Sequence, residues 1–239
     1  MLFYYIATMQ YEHLFFDLDH TLWDFETNSK LTLEDLFEKH QLNSKLTNDF
    51  ELFYKTYSIH NKKLWDRYHH GFIKQEELKW KRMWHTMLDF KCGDEKLARL
   101  LSAEYLEILP TKKTLFPYTN EILNYLRNKK YKLHLITNGF ELTQRSKIKL
   151  SNIDNYFTEL ITSEVAMSLK PKKEIFEFAL QKTGATLLNS IMIGDNLDAD
   201  IKGANNAGMH SVFVNHIEEK VTEPCTFIIH HLKELENIL

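Results

Sequence analysis

The chain has 239 residues, 44% of them apolar, with a formal charge of -3 and a pI near 6.5. That length suits one compact core carrying an insertion better than two independent domains. The weak negative charge provides no basic field for a nucleic acid polymer or an anionic membrane, and no apolar run is long enough to span a bilayer, so the expected partner is a small molecule. Cys92 and Cys225 lie far apart without metal-ligand spacing, which fits ordinary thiols in a reduced, cytoplasmic protein. Met1 to Met9 is apolar and aromatic but lacks the basic start, long hydrophobic run and small-residue cleavage pattern of an export signal.

In chain order, the apolar run Leu14-Phe15-Phe16 reads as a buried strand that stops at Asp17-Leu18-Asp19. Two carboxylates at the end of a buried strand need a cation or a substrate, because an unpaired buried charge is costly. Alternation in an extended segment puts Asp17 and Asp19 on the same side, where one can attack an electrophile while the other handles a proton; it turns His20 away from Asp19. The stretch 28–115 then contains hardly any strand-like run. Its apolar residues fall at helical spacing, among them Leu33, Leu36, Phe37, Phe53, Tyr57, Leu64, Met83, Met87 and Leu101. It reads as an inserted helical bundle that splits the core into residues 1–27 and 116–239. Ligands of open parallel sheets bind at the strands' carboxyl ends, so the bundle is placed as a lid over Asp17 and Asp19.

From Lys132 onward, short apolar strands alternate with amphipathic segments, which predicts an α/β architecture, a parallel sheet covered by helices. Strands are expected at Leu133 to Thr137, Leu160 to Ser163, Ile191 to Asp195, Ser211 to Asn215 and Phe227 to Ile229. Helices are expected at Glu141 to Leu150, Lys173 to Thr183, Asp198 to Ala207 and His231 to Leu239.

Three of these strand ends or the loops after them carry polar residues of one kind. Thr137-Asn138-Gly139 offers a hydroxyl, an amide and a glycine to an oxyanion. Lys170-Pro171 sets an ammonium just before a helix that has the proline at its first position. Gly194-Asp195 opens a carboxylate cluster reaching Asp200, within which Asp198 is expected to cap the following helix. Hard oxygen ligands without a histidine or cysteine cluster suit Mg2+, with Asp17 and Asp195 as its carboxylates. A cation beside Asp17 lets an anionic nucleophile approach an anionic phosphoryl group, while Lys170 offsets charge on the equatorial oxygens. An aspartyl-phosphate would form at Asp17, with Asp19 protonating the leaving oxygen and then deprotonating the attacking water.

Asp17-x-Asp19-x-Thr21, Thr137-Asn138-Gly139, Lys170-Pro171 and Gly194-Asp195 with Asp200 resemble the four ordered motifs of the haloacid dehalogenase superfamily. The resemblance covers nearly the whole chain after Tyr11. It implies a Rossmann-like core with a helical cap inserted after the first strand, and Mg2+ held by Asp17, the Asp19 backbone carbonyl and Asp195. It further implies phosphate binding by Thr137, Asn138 and Lys170, with Asp200 supporting the metal site from behind. Dehalogenases of the superfamily lack the acid at the position of Asp19, so an aspartate there favours phosphoryl transfer. Asn61-x-x-Leu64-Trp65-x-x-Tyr68-x-x-Gly71-x-Ile73, together with Ile136-Thr137-Asn138-Gly139-Phe140, is similar to the bacterial pyrimidine 5'-nucleotidase branch. That narrower match implies a Mg2+-dependent phosphomonoester hydrolase acting on a small phosphorylated metabolite, a nucleoside 5'-monophosphate first. Trp65 or Tyr68 would stack on the base, although packing is the default for aromatic residues at helical spacing, Trp80 and Trp84 included. Sugar phosphatases and phosphomutases share every motif, and a non-catalytic binding module is the alternative from another class.

Overall fold

The computed structural model describes residues 11–239, so the Met1 to Met9 segment discussed above lies outside the described residues. The described residues divide into two compact units: Phe25–Thr114, and Tyr11–Asp24 together with Leu115–Leu239. Among the described residues no helix is long and apolar enough to cross a membrane.

The Phe25–Thr114 unit is helical: α1 Phe25–Lys39, α2 Leu42–Lys45, α3 Phe50–His69, α4 Gln75–Asp89 and α5 Glu95–Ile108. Apolar residues three and four apart give each long helix a buried stripe, as with Leu33, Leu36 and Phe37 on α1 or Phe53, Tyr57 and Leu64 on α3. Asp49 and Asp94 start α3 and α5 by accepting from the Leu52 and Leu97 amides. The two ends of the unit are clipped together by Asn28, which donates to the Thr114 carbonyl at 2.8 Å and accepts from the Thr114 amide at 3.0 Å. Trp65 and Tyr68 on α3 are half-buried and meet edge to face, 5.8 Å apart. The Arg99 guanidinium lies 3.8 Å over the Trp80 ring.

The other unit is built on six parallel strands, β1 His13–Phe16, β2 Lys132–Thr137, β3 Phe157–Thr162, β4 Ser190–Gly194, β5 His210–Val214 and β6 Phe227–Ile229. They lie in the order β3-β2-β1-β4-β5-β6. Its helices are α6 Thr119–Asn128, α7 Glu141–Leu150, α8 Ser163–Ala166, α9 Lys173–Thr183 and α10 Gly203–Ala207. β1 and β4 are buried along their whole length, which is why they read as unbroken apolar runs rather than alternating ones. Phe15, Ile136 and Met192 pack on one face of the sheet with Ile175, Phe176 and Ala179 of α9. By alternation Leu14, Phe16, Leu135 and Ile193 occupy the other face. The expected parallel sheet with flanking helices is thus the fold found.

Three local expectations are corrected. The segment 198–207 is not one helix: Leu197–Lys202 forms a wider π-type turn before α10. Its cap is Asn196, whose side chain accepts from the Asp198 and Ala199 amides, while Asp198 faces outward and pairs with Lys202 at 2.7 Å. Pro171 does not open α9, which starts two residues later at Lys173 behind an extended Lys172. The last helix shrinks to a 3₁₀ segment, Leu232–Asn237, because Glu234 folds back to accept from the His230 and His231 amides and tightens the turn.

At the amino end of the sheet, His13 and His134 stack with ring centroids 5.2 Å apart and share a hydrogen bond of 3.0 Å; the second nitrogen of His134 meets Thr158 Oγ1 at 2.8 Å. Burial first, then the charges of His13 and Lys132, push the His134 imidazole from 6.5 down to about 3. The unfolded chain therefore takes up a proton that the folded one refuses. This contribution to stability is complete above about pH 6.5 and falls by up to about 1.4 kcal/mol per pH unit as the pH drops towards 3. Urea unfolding between neutral and mildly acidic pH should show a steeper loss in the wild type than in His134→Gln; equal slopes would rule the histidine out as the cause.

Candidate active site

All six strands run the same way, so their carboxyl ends share one edge. The strand order reverses between β1 and β4, the topological switch point at which open α/β sheets leave a crevice. Phe16 pairs with Ile193, and the Asp17 amide donates to the Ile193 carbonyl at 2.9 Å. Asp17 and Asp195, 178 residues apart in sequence, therefore emerge side by side.

Between them sits one ammonium. Lys170 Nζ is almost fully buried and donates to Asp17 Oδ1 at 2.5 Å, Asp200 Oδ1 at 2.6 Å and the Ile136 carbonyl at 2.8 Å, which uses all three of its hydrogens. Burial alone would lower its pKa, but the Asp17 and Asp200 carboxylates more than offset this and hold it charged. Asp200 also accepts from the Asn196 amide at 3.0 Å, and Asp195 accepts from the Thr21 hydroxyl at 2.9 Å. Gly194 makes this possible, since a Cβ there would run into the Asp200 carboxylate.

One ammonium faces three carboxylates, and the imbalance shows in their acidity. Burial, partly opposed by Lys170 and reinforced by Asp200 and Asp195, pushes Asp17 up to about 8. Burial and Asp200 push Asp195 to about 8 as well, against the Thr21 hydrogen bond and Lys170. The pocket is short of positive charge. Asp17, Asp195 and Asp200 bring one oxygen each within 4.8 Å of one another, and an all-oxygen donor set of this kind suits Mg2+.

Around this cluster lie Thr137, Asn138 and Asp19. Thr137 Oγ1 accepts from the Gly139 amide at 3.1 Å and from Gln144 Nε2 at 2.8 Å, which fills its lone pairs and leaves its hydrogen to donate. The Asn138 side chain, expected on a phosphate, is spent otherwise: it accepts from the Lys170 amide at 2.8 Å and donates to the Lys170 carbonyl at 2.9 Å. It acts as a strut for the lysine. β1 ends at Phe16 and the chain coils back, with the Leu22 and Trp23 amides donating to the Leu18 carbonyl, so strand alternation does not reach Asp19. Asp19 is instead held from α7, by Lys147 at 2.6 Å and Gln144 at 2.9 Å. Trp65 and Tyr68 belong to the helical unit, on α3.

Sequence reasoning singled out neither Gln144 nor Lys147, and it assigned no role to Thr21. The first two lie on an exposed-looking polar helix, Glu141-Leu142-Thr143-Gln144-Arg145-Ser146-Lys147, yet both are buried. Their spacing of three on one helix face, directly after Thr137-Asn138-Gly139, is the signal that was present.

The family model for haloacid dehalogenase-like hydrolases matches residues 11–208. The chain belongs to the haloacid dehalogenase-like hydrolases. The pyrimidine 5'-nucleotidase PynA of Streptococcus pneumoniae is 29% identical over 97% of this chain and 96% of its own length. Pyrimidine 5'-nucleotidase YjjG of Escherichia coli is 30% identical over 97% and 99%. The magnesium-bound crystal structure of the HAD-hydrolase YfnB from Bacillus subtilis superposes with a TM-score of 0.86 at 28% identity, covering 96% of this chain and 99% of that one.

Because a metal needs its carboxylates ionised, it must displace protons from groups held near 8. Mg2+ affinity measured by calorimetry should therefore rise with pH, by up to about tenfold per pH unit for each proton released, and level off above about pH 8. Buffers of different ionisation heat should reveal the released protons. An affinity flat between about pH 6 and pH 8 would contradict this account.

Proposed function

We propose that the protein is a Mg2+-dependent phosphomonoester hydrolase that works through an aspartyl-phosphate and acts on a small phosphorylated metabolite, a nucleoside 5'-monophosphate first. The observation that carries this reading is the buried cluster of Asp17, Lys170, Asp195 and Asp200 with a second carboxylate, Asp19, two residues from the first. Asp17 attacks phosphorus in line, the bond from phosphorus to the ester oxygen breaks, and that oxygen takes a proton from Asp19. Asp19, now a carboxylate, removes a proton from water, whose oxygen attacks the same phosphorus and frees Asp17 and inorganic phosphate. The Thr137 hydroxyl donates to a phosphoryl oxygen, and the Lys170 ammonium, whose hydrogens go to Asp17, Asp200 and the Ile136 carbonyl, offsets the phosphoryl charge from beside the nucleophile. Mg2+ would be held by Asp17, Asp195 and the Asp19 backbone carbonyl, with Asp200 behind them, and would neutralise charge between the nucleophile and the phosphoryl group.

Asp19 favours phosphoryl transfer over carbon–halogen cleavage, which needs no proton donor of this kind. The names carried by PynA and YjjG support a pyrimidine nucleotide as the substrate. In this reading the Phe25–Thr114 unit is a cap, and Trp65 or Tyr68 supplies the surface on which a base stacks. Cys92 and Cys225 are both free, in keeping with a reducing, cytoplasmic setting.

Incubation with Mg2+ and a panel of dUMP, dTMP, hexose phosphates and phosphoglycolate should release phosphate fastest from the nucleotides, and a chelator should stop the reaction. Asp17→Asn should lower kcat on the order of 10⁴-fold. Borohydride added during turnover should reduce the acyl phosphate at Asp17 to homoserine, read by mass spectrometry of the peptide. Full activity in Asp17→Asn would remove the proposed nucleophile, and preference for hexose phosphates would move the substrate class.

A further inference from the structure

We propose that Gln144 and Lys147 are positioning residues for Asp19, which together fix the plane of its carboxylate and tie it to the phosphate-binding Thr137. This rests on the acid–base role given to Asp19 above. Lys147 Nζ donates to Asp19 Oδ1 at 2.6 Å, and Gln144 Nε2 donates to Oδ2 at 2.9 Å, so each oxygen has its own partner and the group cannot turn freely. Gln144 Nε2 also donates to Thr137 Oγ1 at 2.8 Å. One amide thus spans the acid–base residue and the hydroxyl assigned to the phosphate, and the distance between proton transfer and phosphoryl transfer is set by a single side chain.

Both residues are built into place. Gln144 is fully buried and Lys147 only 2% exposed. The Gln144 amide lies where a Cβ at Gly139 would come within 2.5 Å of it, so the glycine of Thr137-Asn138-Gly139 makes room for this contact. Trp23, four residues after Asp19, puts its ring 4.4 Å below the Lys147 ammonium. Gln144 Oε1 is buried without a hydrogen-bond partner. As the proton leaves for the ester oxygen, negative charge develops on Asp19 and the Lys147 ammonium is already aimed at it.

A residue that merely holds the fold would affect all substrates alike, whereas one that positions a proton donor matters in proportion to how badly the leaving group needs the proton. Phenyl phosphate needs it; 2,4-dinitrophenyl phosphate expels a stable anion and does not. Because kcat/KM reports the first irreversible step, it isolates the half-reaction in which Asp19 donates. Asp19→Asn should lower kcat/KM by about 10²–10⁴-fold on phenyl phosphate and far less on the dinitrophenyl ester. Lys147→Met and Gln144→Leu should each lose at least about tenfold more on phenyl phosphate than on the dinitrophenyl ester, with Lys147→Arg recovering most of the difference. Circular dichroism checks that each variant is folded, and either variant alone suffices for the comparison. Equal losses on both esters, with Asp19→Asn still selective, would overturn the positioning role and leave the acid–base role standing. A non-selective Asp19→Asn would overturn the acid–base reading and this inference with it.

Discussion

The candidate site hangs on one buried ammonium. Lys170 spends its three hydrogens on Asp17, Asp200 and the Ile136 carbonyl, and without it two carboxylates would face each other in a medium that solvates neither. A buried pair of this sort is weak evidence of stability, since packed apolar residues would serve a fold as well or better. Its sense lies in chemistry. A carboxylate with the nucleophilic role proposed for Asp17 must be dry and still able to ionise; the fixed cation at 2.5 Å opposes the effect of burial, and the charge it leaves uncompensated is what a divalent ion would supply. The lysine in turn is held by its own backbone: Asn138 grips the amide and the carbonyl of residue 170, so the end of β2 sets the position of a loop 32 residues further on.

Parallel topology explains why this is possible with so little sequence. In a sheet ordered β3-β2-β1-β4-β5-β6, the first strand is flanked by the second and the fourth, and the edge where their chains leave in opposite directions is open. Asp17 and Asp195 need no long side chains to meet there, because their strands already pair in register up to Phe16 and Ile193. Gly194 completes the arrangement by leaving room for Asp200, which comes from the π-type turn that follows. The wide turn, rather than a regular helix, swings Asp200 back against its own strand while Asp198, two residues earlier, stays at the surface with Lys202.

The sheet, its helices and the carboxylates after β1 and β4 were legible because they rest on apolar runs that end abruptly in charge, a pattern that survives without knowledge of packing, whereas Lys170 stands in a loop and was reached through its resemblance to an ordered motif. What was not legible depended on choices between near-equivalent local partners. Asp198 and Asn196 can each cap a helix, and only the extended backbone at Asn196 decides for the amide. His231–Leu239 has helical spacing, yet Glu234 finds two amides within reach and tightens the turn. Asn138 can bind an oxyanion or a backbone, and the proximity of Lys170, invisible in one dimension, decides for the backbone. Gln144 and Lys147 escaped for the same reason, since a polar helix stretch reads as a solvated face until the acidic loop it covers is known.

The two aspartates are alike in sequence and opposite in setting, and the difference fits the labour proposed for each. The Asp17 side chain is 11% exposed and held by a buried lysine whose other hydrogens are taken, which suits a group that has to meet a single phosphorus atom along a single line. The Asp19 side chain is 21% exposed and tied through both oxygens to one helix. A proton donor must reach a leaving oxygen in one step and a water molecule in the next, so it needs access that a nucleophile does not, together with an orientation that access would otherwise cost it. Suspending it from α7 rather than from the strand would provide both: the backbone of β1 fixes Asp17, and a second element, anchored beside Thr137, holds Asp19 for the proton transfers of the proposed reaction.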